Sequence, residues 1–347
     1  MEVWYGADQV PEELRDPSGP GSVVTLGVFD GVHRGHRAVL SRLVARAEDL
    51  AAREPGRPRP LAVAVTFDPH PARVHRPGQH LPMVASLADR LTLLSSTGLD
   101  AVLVVHYTLD FADQGAADFA RTWLEGLLGA RAVVVGDDVR FGRGNEGDAR
   151  TLEEIGTADG LEVEIVRDVL APSGRRWSST WVRQLLEEGD VAGAAEVLGR
   201  AHRLRGTVVH GLKRGREIGF PTANLQAATA GVVPPDGVYA GWLVRSPGSG
   251  EDEGPGEERL AAAVSIGTNP TFDDVPERVV EAHVLGRTDL DLYGEVVGVE
   301  LVERLRPMLA FDGLEPLLAQ MRRDVVRCAA VLGVAVPGPL RPEDVTA

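Results

Sequence analysis

Ser22-Val23-Val24-Thr25-Leu26 runs straight into Gly27-Val28-Phe29-Asp30-Gly31-Val32-His33-Arg34-Gly35-His36, and this join decides how the first half of the chain folds. A short apolar run bounded by glycine reads as a buried strand, and the residues after it read as the start of a helix. Gly27, Gly31 and Gly35 let backbone pass close to a ligand with no Cβ in the way. The helix N-terminus offers unpaired N–H groups and a positive dipole end, which suits the phosphates of a nucleoside triphosphate. His33 and His36, three positions apart, can both face a phosphoryl group.

The bulk properties narrow the field. A chain of 347 residues divides most naturally into two domains, each with its own core. No apolar run is long enough to cross a bilayer, and Met1 to Asp8 lacks the basic-then-apolar form of a signal peptide. Cys328 is the sole cysteine, which excludes an intrachain disulfide and a multi-cysteine zinc site. These features lead us to expect a cytoplasmic protein with no membrane partner. Asp and Glu number 51 against 36 Lys and Arg, a net charge of −15, so no nucleic-acid partner is expected. Lys213 is the only lysine, and Arg214 follows it, so no Walker A loop exists. Separate lysine and glycine-rich elements of a protein kinase are missing too. The first half must handle phosphate with arginine, histidine and backbone N–H groups.

Beyond Leu26 the first half alternates apolar runs with amphipathic segments. Strands are expected at 23–28, 61–67, 101–105, 132–135 and 161–166, and helices at 38–53, 87–97, 116–128 and 151–158. Apolar strands separated by helices predict a parallel sheet covered on both faces, with ligands at the carboxyl ends of the strands. The loops at 27–36, 68–71 and 136–142 all fall on that edge. Near Trp177 the pattern changes. Ser178-Ser179-Thr180 supplies capping hydroxyls for a helix at 181–186, and a second short helix is expected at 191–198. Short strands with Gly/Pro turns follow at 204–209, 237–244, 260–266, 279–285 and 296–305, an antiparallel barrel pattern. A closing helix spans 314–332. Residues 246–258, rich in Gly, Pro, Asp and Glu, read as a disordered hairpin tip.

The ten residues 27–36 resemble the HxGH nucleotidylyltransferases, and within them the FAD synthetase module of bacterial bifunctional riboflavin kinase/FAD synthetases. The resemblance spans roughly residues 22 to 330. It implies an α/β doubly wound, Rossmann-like nucleotidylyltransferase domain over 1–187. A small antiparallel β-barrel riboflavin kinase domain with a C-terminal helix follows over 188–347. Gly27, Phe29, Asp30, Gly31 and Gly35 would then belong to the nucleotide loop. Thr66-Phe67-Asp68-Pro69-His70-Pro71 and Gly136-Asp137-Asp138-Val139-Arg140-Phe141-Gly142 match further family loops, which adds His70 and Asp138 to the binding residues. Val139 stands where an aromatic is common.

Adenylyl transfer needs phosphates held in line, charge offset at the α-phosphoryl group, and pyrophosphate stabilised as it leaves. His33 and His36 fit the second need as catalytic residues. Ser178, Ser179 and Thr180, with Arg183 one turn on, fit the third, and they resemble the family's S-S-T-x-x-R signature with Trp177 in place of an aliphatic residue.

In the second half, Gly211, Arg214, Gly215 and Gly219 suit a tight loop around a phosphate chain. Thr222 and Asn224 alternate along an extended segment, so both point to one face and could ligate Mg²⁺ on ATP. The sequence Pro221-Thr222-Ala223-Asn224 resembles the riboflavin kinase signature, and the resemblance makes Glu281 the general base near the 5′-hydroxyl of riboflavin. His283, on the same face, reads as structural. Ser265 to Phe272 would shape the flavin cleft, and Lys213 is read as a replaceable charge. The expected substrates are riboflavin, FMN and ATP, with Mg²⁺ as cofactor; a homo-oligomer is left open. Two other readings are weighed. A barrel that only binds flavin would need neither a metal pair nor a base, and a tRNA-linked adenylating enzyme conflicts with the acidic charge and the missing lysine loop.

Overall fold

The computed structural model describes residues 1–79, 81–210, 218–226, 231–245, 257–268 and 278–338. The chain forms two compact units, one of residues 1–81 and 87–178, the other of residues 82–86 and 179–347. The units therefore part between Ser178 and Ser179, so the helix after the Ser-Ser-Thr stretch clusters with the barrel.

In the first unit the strands are Glu2–Tyr5 (β1), Ser22–Leu26 (β2), Leu61–Asp68 (β3), Ala101–His106 (β4), Ala130–Gly136 (β5) and Glu162–Val166 (β6). They pair in parallel in the order β1-β4-β3-β2-β5-β6. The helices between them are Arg34–Arg53 (α1), Pro71–His75 (α2), Leu87–Ser95 (α3), Leu109–Ala112 (α4), Ala116–Phe119 (α5) and Ala149–Asp159 (α6). The expected helix over 116–128 keeps only its first turn as α-helix; Ala120–Leu127 continues it as π-helix. Apolar spacing alone does not separate the two. β1 was not expected, because four residues are too few to show alternation; it adds to the free edge of β4 and buries Trp4.

Alternate strand residues feed two cores. Val24, Val63, Val65, Leu103, Val133 and Val135 face the side covered by Phe119, Leu124 and Leu152. Val23, Ala62, Ala64, Val102, Ala132 and Val134 face the side covered by Leu40, Leu43 and Leu94. Each fully buried leucine contributes about 1.5–3 kcal/mol relative to exposure. From β2 the chain goes one way to β3, and the later strand β5 returns to the other side of β2. The switch point therefore lies at the carboxyl end of β2, where residues 27–36 begin.

The second unit opens with the helices Ser179–Glu188 (α7) and Val191–Leu198 (α8). The strands His202–Val209 (β7), Ala223–Leu225 (β8), Gly237–Arg245 (β9), Glu258–Thr268 (β10), Arg278–Val284 (β11) and Val296–Pro307 (β12) close into a barrel in the order β10-β11-β8-β7-β12-β9. Every neighbouring pair is antiparallel. The helix Leu314–Leu332 (α9) packs Cys328 against Val238, Ala240 and Leu305. β8, read from sequence only as extended, completes the barrel wall between β7 and β11. The hairpin tip expected at 246–258 falls largely outside the described residues.

Candidate active sites

The loop leaving β2 is held in an unusual shape. Phe29 and Val32 take positive φ of 53° and 41°, with Gly31 at 76° between them. Such a conformation costs a non-glycine residue on the order of 1–3 kcal/mol. Val32 is β-branched, the type least suited to it. Packing holds both, since Phe29 is 3% and Val32 0% exposed. The Val32 N–H also closes a turn on the Phe29 carbonyl at 3.1 Å.

His33 caps α1. Its Nδ1 accepts the His36 N–H at 3.3 Å, which leaves Nε2 to carry the proton when the ring is neutral. The His33 and His36 rings stack with centroids 3.6 Å apart, and Phe29 meets His36 edge-on at 5.3 Å. Burial holds His36 well below the ordinary histidine range, and the neighbouring His33 and Arg176 add to this. At neutral pH His36 is therefore an uncharged imidazole, and its Nδ1 is buried with no hydrogen-bond partner. Gly35 is required by space: a Cβ there would lie 3.1 Å from the His33 ring and 3.3 Å from the Trp177 carbonyl. At Gly27 a Cβ would press on the Phe29 ring at 3.1 Å.

Asp30 is 2% exposed, so it lies beneath the loop rather than on its surface. The buried cation facing it is Arg90 of α3, which sequence reasoning missed. Arg90 Nη1 donates to the carbonyls of Val28 at 2.8 Å and Phe67 at 3.1 Å, and to Thr66 Oγ1 at 3.1 Å. Burial pushes its guanidinium below the usual arginine value, and the negative charges of Asp30 and Asp68 oppose that. An arginine among apolar helix positions carries no local signal; only the sheet brings it under the loop.

His70 caps α2, its Nδ1 accepting the Ala72 N–H at 3.0 Å. Asp138 pairs with Arg176 at 2.9 Å, and Arg176 also reaches Asp168 at 3.5 Å. Asp138 thus serves an ion pair here. A second feature missed from sequence lies at the carboxyl ends of β3 and β4. Phe67, Tyr107, Phe111 and Trp123 form an aromatic run with centroids 5.2–5.6 Å apart. His75 Nε2 lies 2.9 Å from the Tyr107 hydroxyl beside it. These residues are scattered over 57 positions, and no spacing links them.

In the second unit, α7 begins at Ser179, two residues earlier than Trp181, so Ser178 stands at the cap position while Ser179 and Thr180 are its first residues. Ser178 and Ser179 are half-buried and Thr180 is exposed. Arg183 donates its Nε to the Pro82 carbonyl at 2.9 Å.

The barrel's outer wall carries the other set. Ala223, Leu225, Val280 and Ala282 point inward and are buried, so Asn224, Glu281 and His283 point outward from β8 and β11. Asn224 and Glu281 are direct cross-strand partners, and Ser265 of β10 pairs with Glu281 from the other side. The Asn224 amide donates to Thr222 Oγ1 at 3.2 Å, so these two side chains do meet. Burial raises the Glu281 carboxyl above the ordinary glutamate value. His283, 7% exposed, donates from Nδ1 to the Pro221 carbonyl at 2.8 Å, and burial lowers its pKa. It braces the Phe220-Pro221 turn, its ring 5.1 Å from Phe220. Gly219 has φ 81°, open to glycine. Gly211, Lys213, Arg214, Gly215 and the stretch Asn269 to Phe272 lie outside the described residues.

The first unit thus stacks two imidazoles at the switch point of a parallel sheet, and the second sets a half-buried carboxylate across from Asn224 on a barrel wall, a two-domain arrangement. The FAD synthetase family model matches residues 16–181, and the riboflavin kinase model matches residues 198–332. The bifunctional riboflavin kinase/FMN adenylyltransferase of Escherichia coli (strain K12) is 35% identical over 334 residues, covering 96% of this chain and 97% of that one. Its counterpart from Bacillus subtilis (strain 168) is 31% identical over 317 residues, covering 90% and 93%. The crystal structure named "Macrolide-efflux Protein" from Streptococcus pneumoniae aligns with a TM-score of 0.77 at 30% identity, covering 93% of this chain and 97% of its own. Among the described residues, no helix of this chain is long and apolar enough to cross a membrane. The chain belongs to the bifunctional riboflavin kinase/FMN adenylyltransferase family, with a FAD synthetase domain followed by a riboflavin kinase domain.

Proposed function

We propose that FMN adenylylation runs on the loop of His33 and His36, and riboflavin phosphorylation on the barrel wall of Thr222, Asn224 and Glu281. The observation that carries the first assignment is the pair of stacked imidazoles at the N-terminus of α1, with His36 Nδ1 buried and unpaired. An oxygen of the FMN phosphate attacks the α-phosphorus of ATP, the bond to the bridging oxygen breaks, and pyrophosphate leaves. His33, whose Nε2 carries the proton, and neutral His36 offer hydrogen bonds as charge builds on the α-phosphoryl oxygens. Gly27, Gly31 and Gly35 let the phosphates approach the backbone, and the N–H groups at the start of α1 receive them. Ser178, Ser179, Thr180 and Arg183 are assigned to the β- and γ-phosphates; Arg183 would exchange its Pro82 carbonyl for phosphate oxygen. Tyr107 and Phe111, half-buried and packed edge to face with each other, give that end of the sheet apolar side chains against which an isoalloxazine ring would pack.

On the barrel, Glu281 takes the proton of the riboflavin 5′-hydroxyl as its oxygen bonds to the γ-phosphorus of ATP, and ADP leaves. A carboxylate with a raised pKa is the better base for that step. Thr222 and Asn224, in contact on one face, fit a magnesium ion that takes its remaining ligands from phosphate; bound there, the ion would offset phosphate charge. Gly211, Arg214, Gly215 and Gly219 are assigned to the phosphate chain and Pro221 to the turn that presents Thr222. We place the functional boundary at 187/188. That keeps Ser178 to Arg183 with the adenylyltransferase, in line with the FAD synthetase match through residue 181 and the riboflavin kinase match from 198. Cytoplasmic work suits the single cysteine, buried and held up to about 11.

The test is product analysis with riboflavin, ATP and Mg²⁺. Glu281→Gln is expected to lower FMN formation by about 10²–10⁴-fold while FMN-to-FAD conversion continues. His36→Ala is expected to do the reverse. Loss of both activities in both folded variants would remove the two-site assignment.

A further inference from the structure

We propose that Arg90 is a positioning residue for adenylyl transfer: it is the buried cation that clamps the carboxyl ends of β2 and β3 and keeps the loop to α1 in the shape that stacks His33 on His36. The proposal rests on the assignment of adenylyl transfer to those two histidines.

The argument starts from the cost of the site. A guanidinium that is 1% exposed, set among apolar core residues, is expensive unless its N–H groups and its charge are answered. Among the described residues, the groups that answer the Arg90 Nη atoms lie at the carboxyl edge of the sheet, and its Nε is buried without a partner. Nη1 donates to the Val28 carbonyl at 2.8 Å, the Thr66 hydroxyl at 3.1 Å and the Phe67 carbonyl at 3.1 Å. Nη2 lies 3.6 Å from the Asp68 carboxylate. Thr66 in turn donates its hydroxyl to the Val28 carbonyl at 3.0 Å. One carbonyl, Val28, therefore receives two donors just before Phe29 turns to positive φ. The carboxylate inside that turn, Asp30, is 2% exposed and lies in the field of the same cation. Arg90 thus meets three conditions together: it anchors the residue before the strained turn, balances the charge within it, and ties both to β3. It does so from α3. Nη1 alone makes the three hydrogen bonds, so a lysine ammonium keeps the charge and a donor there but loses the Nη2 approach to Asp68.

The experiment uses the full-length chain. Steady-state kinetics of FMN adenylylation are measured for Arg90→Met, Arg90→Lys and Thr66→Val, with thermal unfolding followed by circular dichroism as the control for folding and riboflavin phosphorylation by the same preparations as the control for the other site. A displacement of the imidazoles by about 1 Å lowers the rate roughly a hundredfold. The expected result is that fall in kcat for Arg90→Met and a smaller one for Arg90→Lys, with KM for ATP and FMN changed less than about threefold and riboflavin phosphorylation unchanged. Thr66→Val, which removes one link of the clamp at nearly constant volume, is expected to lower kcat less. It is also expected to have no further effect in the Arg90→Met background, the mark of a shared network. Unchanged kcat in folded Arg90→Met overturns the proposal, and so does a rise in KM with kcat retained. If Arg90→Met does not fold, Thr66→Val decides: unchanged kcat overturns the proposal, and a lower kcat at constant KM supports it. His36→Ala separates the two levels. If it keeps FMN adenylylation, the assignment of the site is wrong; if it loses activity while the Arg90 and Thr66 variants do not, only the role of Arg90 fails.

Discussion

Glu281 stands on the outer wall of the barrel with its carboxyl pushed above the ordinary glutamate range by burial. Two consequences follow, with opposite signs for rate and stability. As a base it must be ionised, so riboflavin phosphorylation is expected to fall as pH drops through the raised value. The fold instead favours the protonated form: Glu281 contributes stability that is full below its unfolded pKa and lost as pH rises through its folded one. Glu281→Gln is therefore expected to remove the acid limb along with the activity, and to raise the melting temperature at neutral pH. A pH–rate profile and a thermal scan of the same preparation check both. His36 goes the other way, since burial and its neighbours keep it neutral. FMN adenylylation is thus expected to show no limb from His36 near 6.5, the value of an unperturbed histidine.

The first turn of α1 shows why a residue that weakens a helix can be kept. Alanine stabilises a helix by about 1 kcal/mol over glycine, but at Gly35 its Cβ would press on the His33 ring and the Trp177 carbonyl. Gly35→Ala is expected to lower FMN adenylylation by about tenfold or more, as the imidazoles shift, and to leave riboflavin phosphorylation as it was. Comparing the two rates in one preparation measures this. The element-level reading was sound where apolar periodicity was long: α8 and α9 fall on the expected residues, 191–198 and 314–332. It failed where an element is short or its period ambiguous, as for β1, β8 and the π-helical run Ala120–Leu127.

At the scale of the whole molecule, each unit has its own core, and the stacked histidines belong to the first while Glu281 belongs to the second. The two activities are therefore expected to separate cleanly. Neither His36→Ala nor Glu281→Gln alone should convert riboflavin to FAD, whereas an equimolar mixture should, because FMN made by the first is a diffusible substrate for the second. Chromatography of the flavins formed by each variant and by the mixture tests this; a mixture that stops at FMN would contradict it.

Residues 22–36 by themselves determined a strand, a glycine-rich turn and a helix start bearing two histidines, because periodicity, glycine and capping are local properties of the chain. The same holds for Thr222 and Asn224, whose shared face follows from the two-residue repeat of an extended segment. Only the tertiary structure decided what surrounds them. Arg90 reaches Val28 across 62 positions and Asn224 meets Glu281 across 57, since sheet register, not spacing along the chain, makes those neighbours. The charge states were decided there too: burial keeps His36 neutral and raises Glu281, and burial exists only once the chain has folded.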